Sequence, residues 1–290
     1  MAILPAVVYT PRNLFPVQIL MKTYLEAAVA IAREAGRLLK EKFDQPHVIE
    51  YKGRINIVTD ADQASEALIV SRIRGIYPDH DILAEESQAV GTGAAFRWII
   101  DPLDGTTNYA HGFPFFCVSI ALEEKGEIRC GAVYNPMLEE MFYAERGSGA
   151  FLNGRPIHVS GTEELGKSLL ATGFPYDIRD SQDNNINCFS AMALKARAIR
   201  RAGAAALDMA YVAAGRFDGF WELKLMPWDT AAAWLLVREA GGLVTDLSGA
   251  PFFLEAPHVL ATNGILHREM IAILEQARCG GSGSCLSCRP

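Results

Sequence analysis

The chain has 290 residues, half of them apolar, and a formal net charge of −7. That length and apolarity bury a sizeable core and fold unaided, as one large domain or as two subdomains sharing a core. The acidic balance argues against nucleic-acid binding, which needs a Lys/Arg excess. No window approaches the roughly 18–20 uninterrupted apolar residues of a membrane span, so small molecules and metals are the expected partners.

Residues 1–21 hold three prolines, no basic n-region and no A-x-A cleavage site. They read as a loosely ordered extension rather than a signal peptide, and Met21 serves as well as Met1 for a natural start. Thr23-x-x-Glu26 is a capping box, and Leu25, Ala28, Val29, Ala32 and Leu39 keep helical spacing to about Phe43. A short strand over 48–51 and a loop at Gly53 follow. Ile57-Val58 then leads into a helix over 60–76 that Tyr77-Pro78 closes. Strands are expected at 81–84 and 96–101.

From 115 to 144 the pattern changes to long strands, FFCVSIALEE, EIRCGAVYNP and EMFYAER, with Lys125-Gly126 as a hairpin turn. This is an antiparallel meander. After turns at Gly147-Ser148-Gly149 and Asn153-Gly154, strands and helices alternate. The order is SLLATG, a helix near 183–196, AIR, a helix at 203–215, FDGFWEL, a helix at 229–240, GLVTD, HVLATN and a last helix to Ala277. The expected organisation is an N-terminal α+β subdomain over 22–155, a C-terminal α/β subdomain over 156–278 and a flexible tail over 279–290. The scattered cysteines fit a reducing cytoplasm, with Cys117 and Cys130 inside apolar strand-like runs where a free thiol acts as a small hydrophobe.

One stretch breaks the alternation of cores and turns. In WIIDPLDGTTNYAHGFPFF (98–116) an apolar strand ends in two acids, Asp101 and Asp104, around Pro102 and before Gly105. If the backbone bends there, both carboxylates turn toward one point, where they repel unless a cation sits between them. Oxygen-only ligands suit a hard ion such as Mg²⁺, which keeps waters and shares its sites with a substrate phosphate. An Asp-Pro turn followed by an Asp-Gly turn explains the same residues without any metal. Glu85 and Glu86 follow a second apolar strand end, where ligand sites in α/β proteins collect. Asp229 reads equally as a first-turn acid of its helix, and Asp62 closes a second capping box with Thr59.

The stretch WIIDPLDGTTNYAHGFPF closely resembles the first signature of the inositol monophosphatase family, and WDTAAAWLLVREAGG (228–242) resembles the second. NIVTDAD, LAEES, GAFLNGRPI, IRRAGAAALDMAYVAAGRFDGFWEL and VLATNG are similar too, so the resemblance runs from about Lys22 to Ala277 and lies nearest the bacterial branch. It implies a layered αβαβα sandwich and a Mg²⁺-dependent, Li⁺-sensitive phosphatase that holds two to three ions and acts through metal-activated water. It implies Glu85, Asp101, Asp104, Asp229 and the carbonyl oxygen of Leu103 as metal ligands. Thr106 and Asp62 would orient and deprotonate the attacking water beside Glu85. Gly105 and Thr106 would offer backbone N–H groups to the phosphate. Glu222 and the Gly203-Ala204-Ala205 segment, with Asp229, would meet the hydroxyls of the leaving alcohol.

The resemblance also implies a homodimer, and a helix face such as 183–196 could supply the contact. Departures from the family pattern are Ala84, where glycine is usual, and Asn56, where aspartate is common. The second bears on the 52–57 loop, where Lys52 is available, and on the third metal.

The expected substrate is myo-inositol 1-phosphate, with histidinol phosphate, fructose 1,6-bisphosphate and other sugar or nucleotide phosphates as alternatives. A transcription-associated binding role is a different class of function, which the basic cluster Arg197, Arg200 and Arg201 would serve. A haloacid-dehalogenase-type site places its two aspartates two residues apart, whereas here the spacing is three. There is no G-x-x-x-x-G-K-[ST], no G-x-G-x-x-G after a strand, no G-x-S-x-G and no H-x-x-x-H pair. His111 is expected at the surface. Cys279, Cys285 and Cys288 lack a fourth zinc ligand and read as part of the tail.

Overall fold

Two capping boxes open the first two helices of the computed structural model, which describes residues 23–45, 49–51, 57–87 and 92–281. The expected N-terminal extension, Lys52, Asn56, Cys285 and Cys288 lie outside the described residues. In helix α1 (Tyr24–Lys42) the Glu26 amide donates to Thr23 Oγ1 at 3.1 Å, and the Thr23 amide donates to Glu26 Oε2 at 3.0 Å. Helix α2 (Asp60–Ile76) repeats the device with Thr59 and Asp62. Between them lie strands β1 (Ile49–Tyr51) and β2 (Ile57–Thr59), an antiparallel pair.

Strands β3 (Asp81–Ala84) and β4 (Phe96–Asp104) run parallel and open a seven-stranded sheet. Helix α3 (Thr106–Ala110) follows β4 directly. The meander is β5 (Cys117–Glu124), β6 (Glu127–Asn135) and β7 (Glu140–Glu145), and a further hairpin, β8 (Ala150–Leu152) and β9 (Arg155–Ile157), completes the sheet in chain order. Alternation sorts its side chains. Trp98, Ile100, Val118 and Ile120 pack under α1 and α2, while Ile99, Cys117, Ala121 and Phe142 point the other way. The unbroken apolar run at 98–100 therefore reflects burial on both faces.

The second sheet has five strands. They are β10 (Leu169–Thr172), β11 (Ala198–Arg200), β12 (Gly219–Leu223), β13 (Leu243–Thr245) and β14 (His258–Thr262), in the order β11-β10-β12-β14-β13. Helices α4 (Ile186–Ala193) and α7 (His267–Gly281) cover its outer face through Trp221, Leu260, Met192 and Met270. Helices α5 (Ala205–Ala213) and α6 (Pro227–Glu239) lie between the two sheets and share one core with Ile99, Phe142, Phe220 and Ala261. Every residue of α5 is buried, as an apolar-all-round helix requires. Gly131 of β6 lets α6 approach, because a Cβ there would meet Ala232. The result is the expected mixed α/β architecture in five layers, αβαβα. No helix among the described residues is long and apolar enough to cross a membrane.

Several elements differ from the sequence expectation, among them the unexpected helix α3 and hairpin β8–β9. Strand β4 runs to Asp104 rather than stopping at 101, because a register shift carries it past Pro102, a residue tolerated where no ladder N–H is needed. Helix α6 begins at Pro227, whose fixed φ suits a first helical position, rather than at 229. The α4 segment is helical only over Ile186–Ala193, within the wider stretch expected.

Candidate active site

The bulge in β4 decides where the two signature acids point. In a regular strand, residues three apart face opposite sides. Here Asp101 pairs with Ser119 and Asp104 with Cys117, so three steps along β4 match two along β5. The extra residue returns both aspartates to one side. Both line a cavity of about 490 Å³, within the usual size of small-molecule sites. Glu85 enters this cavity from the end of β3, Leu103 from the bulge and Asp229 from the first turn of α6.

The acids are held by backbone donors. Asp101 Oδ1 accepts the Leu103 amide at 3.0 Å, and Asp229 Oδ2 accepts the Met226 amide at 2.7 Å. Asp104 accepts the Ala205 and Ala206 amides at 3.1 and 2.8 Å, and the Cys117 thiol at 3.5 Å. Helix α5 has no side-chain cap of its own, so Asp104 caps it from the other half of the molecule. Two segments distant in sequence are thereby joined at the site. A buried glutamate, Glu66, shapes the turn after β3 by accepting the Glu86 and Ser87 amides at 2.8 and 2.9 Å.

These carboxyls carry the electrostatic signature of a shared site. Burial pushes Asp101 well above the usual carboxylate range, helped by the charges of Glu85, Asp104 and Asp229. Burial likewise lifts Asp229, with Asp104 and Glu85 adding to it, and raises Asp104 to about 6 against the pull of its amide and thiol donors. No lysine or arginine among the described residues reaches ion-pair distance of Asp101, Asp104 or Asp229.

Asp62 stands behind this wall, fully buried, and performs two tasks with its two oxygens. Oδ2 accepts the Thr59 amide and hydroxyl at 2.8 and 2.6 Å, closing the capping box. Oδ1 accepts the Thr106 hydroxyl at 2.8 Å, and the Leu103 carbonyl lies 3.1 Å from the same hydroxyl. Burial raises the Asp62 pKa. Gly105, with φ of +99°, makes the turn that presents Thr106. A Cβ there would crowd Phe115 O and Phe116 Cβ.

The opposite wall comes from the second sheet. Glu222 lines the cavity with its pKa raised to about 8 by burial, although Arg201 pulls it down. Its carboxyl lies so close over Gly173 that any Cβ at 173 would overlap it. Gly203 and Ala205 also line the cavity, whereas Ala204 is buried at the start of α5 and does not. Of the basic cluster only Arg201 reaches the lining, and His111 is exposed away from it.

Sequence reasoning missed the rim over 173–177 and the acid Asp208. The rim follows the end of β10, a parallel strand, and that position was the available signal. Asp208 is the lone acid in AALDMAYVA. It is 1% exposed, with no hydrogen-bond partner for Oδ1 among the described residues and its pKa pushed up by burial and by Glu222. At the far end of the rim, Lys224 has φ of +62°, a left-handed conformation that costs a non-glycine residue about 1 kcal/mol or more. Its Nζ donates to Asp177 Oδ2 at 2.7 Å and to Ser181 Oγ at 2.9 Å. With the two side chains 30% and 50% exposed, such a pair contributes below about 1 kcal/mol.

The chain matches the inositol monophosphatase family over residues 20–278. The chain belongs to that family. It is 46% identical to the Nus factor SuhB of Pseudomonas aeruginosa over 264 residues, which are 88% of this chain and 97% of that one. It is 45% identical to an inositol-1-monophosphatase of Synechocystis over 252 residues, 86% of this chain and 88% of that one. Its fold superposes on the inositol monophosphatase of Anabaena with a TM-score of 0.80 and 44% identity, covering 87% of this chain and 95% of that one. Membership makes it a phosphoric monoester hydrolase of the inositol monophosphatase type.

Among the described residues, no three His, Cys, Asp or Glu side chains close into a ready-made metal cage. The donor set is nonetheless all oxygen. Asp101 Oδ1 and Asp229 Oδ2 each accept a backbone amide, and both residues line the same cavity as Glu85 and Asp104. That donor set fits Mg²⁺, which takes one or two carboxylates plus waters and phosphate rather than a dedicated protein cage.

Proposed function

We propose that this chain hydrolyses phosphate monoesters with Mg²⁺, two to three ions per subunit, in a Li⁺-sensitive reaction, and that myo-inositol 1-phosphate is its best substrate. One observation carries the reading: Glu85, Asp101, Leu103, Asp104 and Asp229 line one cavity, with the Asp62–Thr106 bond behind them and Glu222 across from them. The four carboxylates and the Leu103 carbonyl are the proposed ligands. The bound ions would supply an acidified water and neutralise charge on the phosphoryl group.

The remaining chemistry belongs to the chain. Thr106 gives its own hydroxyl proton to Asp62 Oδ1, so its lone pairs face the attacking water and orient it, with Glu85 alongside. Asp62, raised in pKa, is the sink for the proton passed through Thr106. The amides of Gly105 and Thr106, at a tight turn, are proposed to hold phosphate oxygens. Burial raises the Glu222 pKa to about 8 and so favours the protonated carboxyl, which can donate a hydrogen bond to a substrate hydroxyl, with Gly203 and Asp229 also lining the cavity. The Ala205 amide is committed to Asp104. Ala205 therefore shapes the wall rather than donating to the alcohol, and Ala204 supports it from behind.

The test is phosphate release from inositol, sugar, nucleotide and histidinol phosphates, with Mg²⁺ titrated and Li⁺ added. The expected result is Mg²⁺-dependent release, fastest from inositol 1-phosphate and suppressed by Li⁺. No release from any ester would overturn the reading.

A second role is favoured by the similarity to proteins named Nus factor SuhB. We propose a cytoplasmic homodimer that also contacts the transcription machinery. Ile186 and Leu194, 48% and 86% exposed on and after α4, are offered as dimer contacts. Pull-down with RNA polymerase elongation factors at low salt is expected to retain the chain, and an empty pull-down removes this role. Sedimentation at monomer mass removes the dimer.

A further inference from the structure

We propose that the ion pair between Asp177 and Lys224 is a strap that limits how large a leaving alcohol the cavity accepts; the proposal rests on the hydrolase reading above. The rim it controls is Phe174-Pro175-Tyr176, which lines the cavity between two anchors. The first anchor is built into the second sheet. The Gly173 carbonyl accepts Asn185 Nδ2 at 2.6 Å, the Thr172 hydroxyl donates to Trp221 O at 2.6 Å, and Phe174 packs on Phe189 with ring centroids 5.7 Å apart. The second anchor is one side chain. Lys224 Nζ holds Asp177 Oδ2 and Ser181 Oγ, and both Lys224 and Asp177 line the cavity.

The two anchors differ in what they contribute. The first is buried and belongs to the core, whereas the second is a partly exposed pair that adds little to global stability. It is carried by a lysine in a backbone conformation that suits glycine. The Lys224 amide also donates to the Pro257 carbonyl, so the residue is held at its backbone as well as at its side chain. A strained residue whose bond does not serve the core points to the site it borders. Here that site is the rim. Tyr176, 61% exposed, stands at its crest with its phenol in the field of Glu85, Asp229, Asp104 and Asp101.

On this proposal the closed strap leaves the cavity of about 490 Å³ to a single-ring polyol phosphate, whereas the ribose and base of a nucleoside monophosphate, on the same ester oxygen, would reach the 174–176 rim that also lines it. The strap therefore selects against the larger alcohol by geometry.

The experiment compares kcat/KM for adenosine 2′-phosphate and inositol 1-phosphate in wild type, Lys224→Gly, Asp177→Asn and the double variant, each with saturating Mg²⁺. Lys224→Gly relieves the positive φ while removing the bond, so it folds. The ratio of the bulky to the small ester is expected to rise about three- to tenfold in either single variant and no further in the double. Hydrogen exchange over 173–181 is expected to quicken in both. A ratio within about twofold of wild type in both single variants overturns the strap while leaving the hydrolase reading intact. Should wild type release phosphate from neither ester, the hydrolase reading falls, and unchanged exchange over 173–181 in Lys224→Gly overturns the strap as well.

Discussion

The acids on the outside of this molecule and the acids in its cavity have the same chemistry and opposite surroundings. Outside, Glu34 faces Arg72, Glu124 faces Arg129 and Glu164 faces Lys167. Inside, Asp101, Asp104 and Asp229 face one another and Glu85, and they accept hydrogen bonds from backbone amides and one thiol. The outer carboxylates take up their charge with cations the chain itself provides. The inner ones have no such cation within ion-pair distance among the described residues, and that difference is what the proposed Mg²⁺ site rests on.

The contrast is broken most severely by removing the group that connects the inner acids to water. Thr106→Ala deletes the hydroxyl that Asp62 Oδ1 accepts. It is expected to lower kcat by about a hundredfold or more in a phosphate-release assay, the usual scale for a lost proton-transfer partner. A smaller effect is expected at the recognition wall. Gly173→Ala pushes a Cβ into the Glu222 carboxyl, and KM for inositol 1-phosphate should rise roughly tenfold with a lesser change in kcat.

Stability against pH sharpens the same comparison. Asp101, Asp104, Asp229 and Glu222 all have folded pKa values above their ordinary ones, with Asp104 near 6 and Glu222 near 8. The native state therefore binds more protons than the unfolded chain between about pH 4 and 8, and metal-free stability falls as pH rises through that window. Mg²⁺ offsets the exposed repulsion, so its increment in Tm by calorimetry is expected to be several degrees larger at pH 8 than at pH 5.5. An equal increment at both pH values contradicts the shared-cation account. The smallest effect belongs outside: Arg72→Ala breaks a bond to Glu34 between side chains 54% and 41% exposed. It should change stability by less than about 1 kcal/mol in urea melts and leave turnover alone.

What the sequence announced and what it hid follow the same division between local and long-range causes. Both capping boxes were legible because Thr23–Glu26 and Thr59–Asp62 act within one turn, and α1 and α2 begin where those boxes place them. The meander was legible from its alternation and its Lys125-Gly126 turn. The bulge was not, since it shows only as a mismatch between β4 and β5, and nothing local makes Asp101 and Asp104 share a side. Signature motifs named the acids without giving the arrangement that joins them. Asp104 capping α5, Gly173 beneath Glu222 and the Lys224 strap each link segments far apart in the chain. Asp208 was missed although it is the lone acid of an apolar helix, because only the packed fold shows it buried in the field of Glu222 and Arg201.

The most direct test is kcat of Asp104→Asn on inositol 1-phosphate at saturating Mg²⁺. Asparagine keeps an oxygen to accept the Ala206 amide, so α5 stays capped and the fold stays intact, while the negative charge at the centre of the cluster is gone. The account predicts a fall of about a hundredfold or more with an unchanged circular dichroism spectrum. An Asp104→Asn protein turning over at the wild-type rate would contradict it.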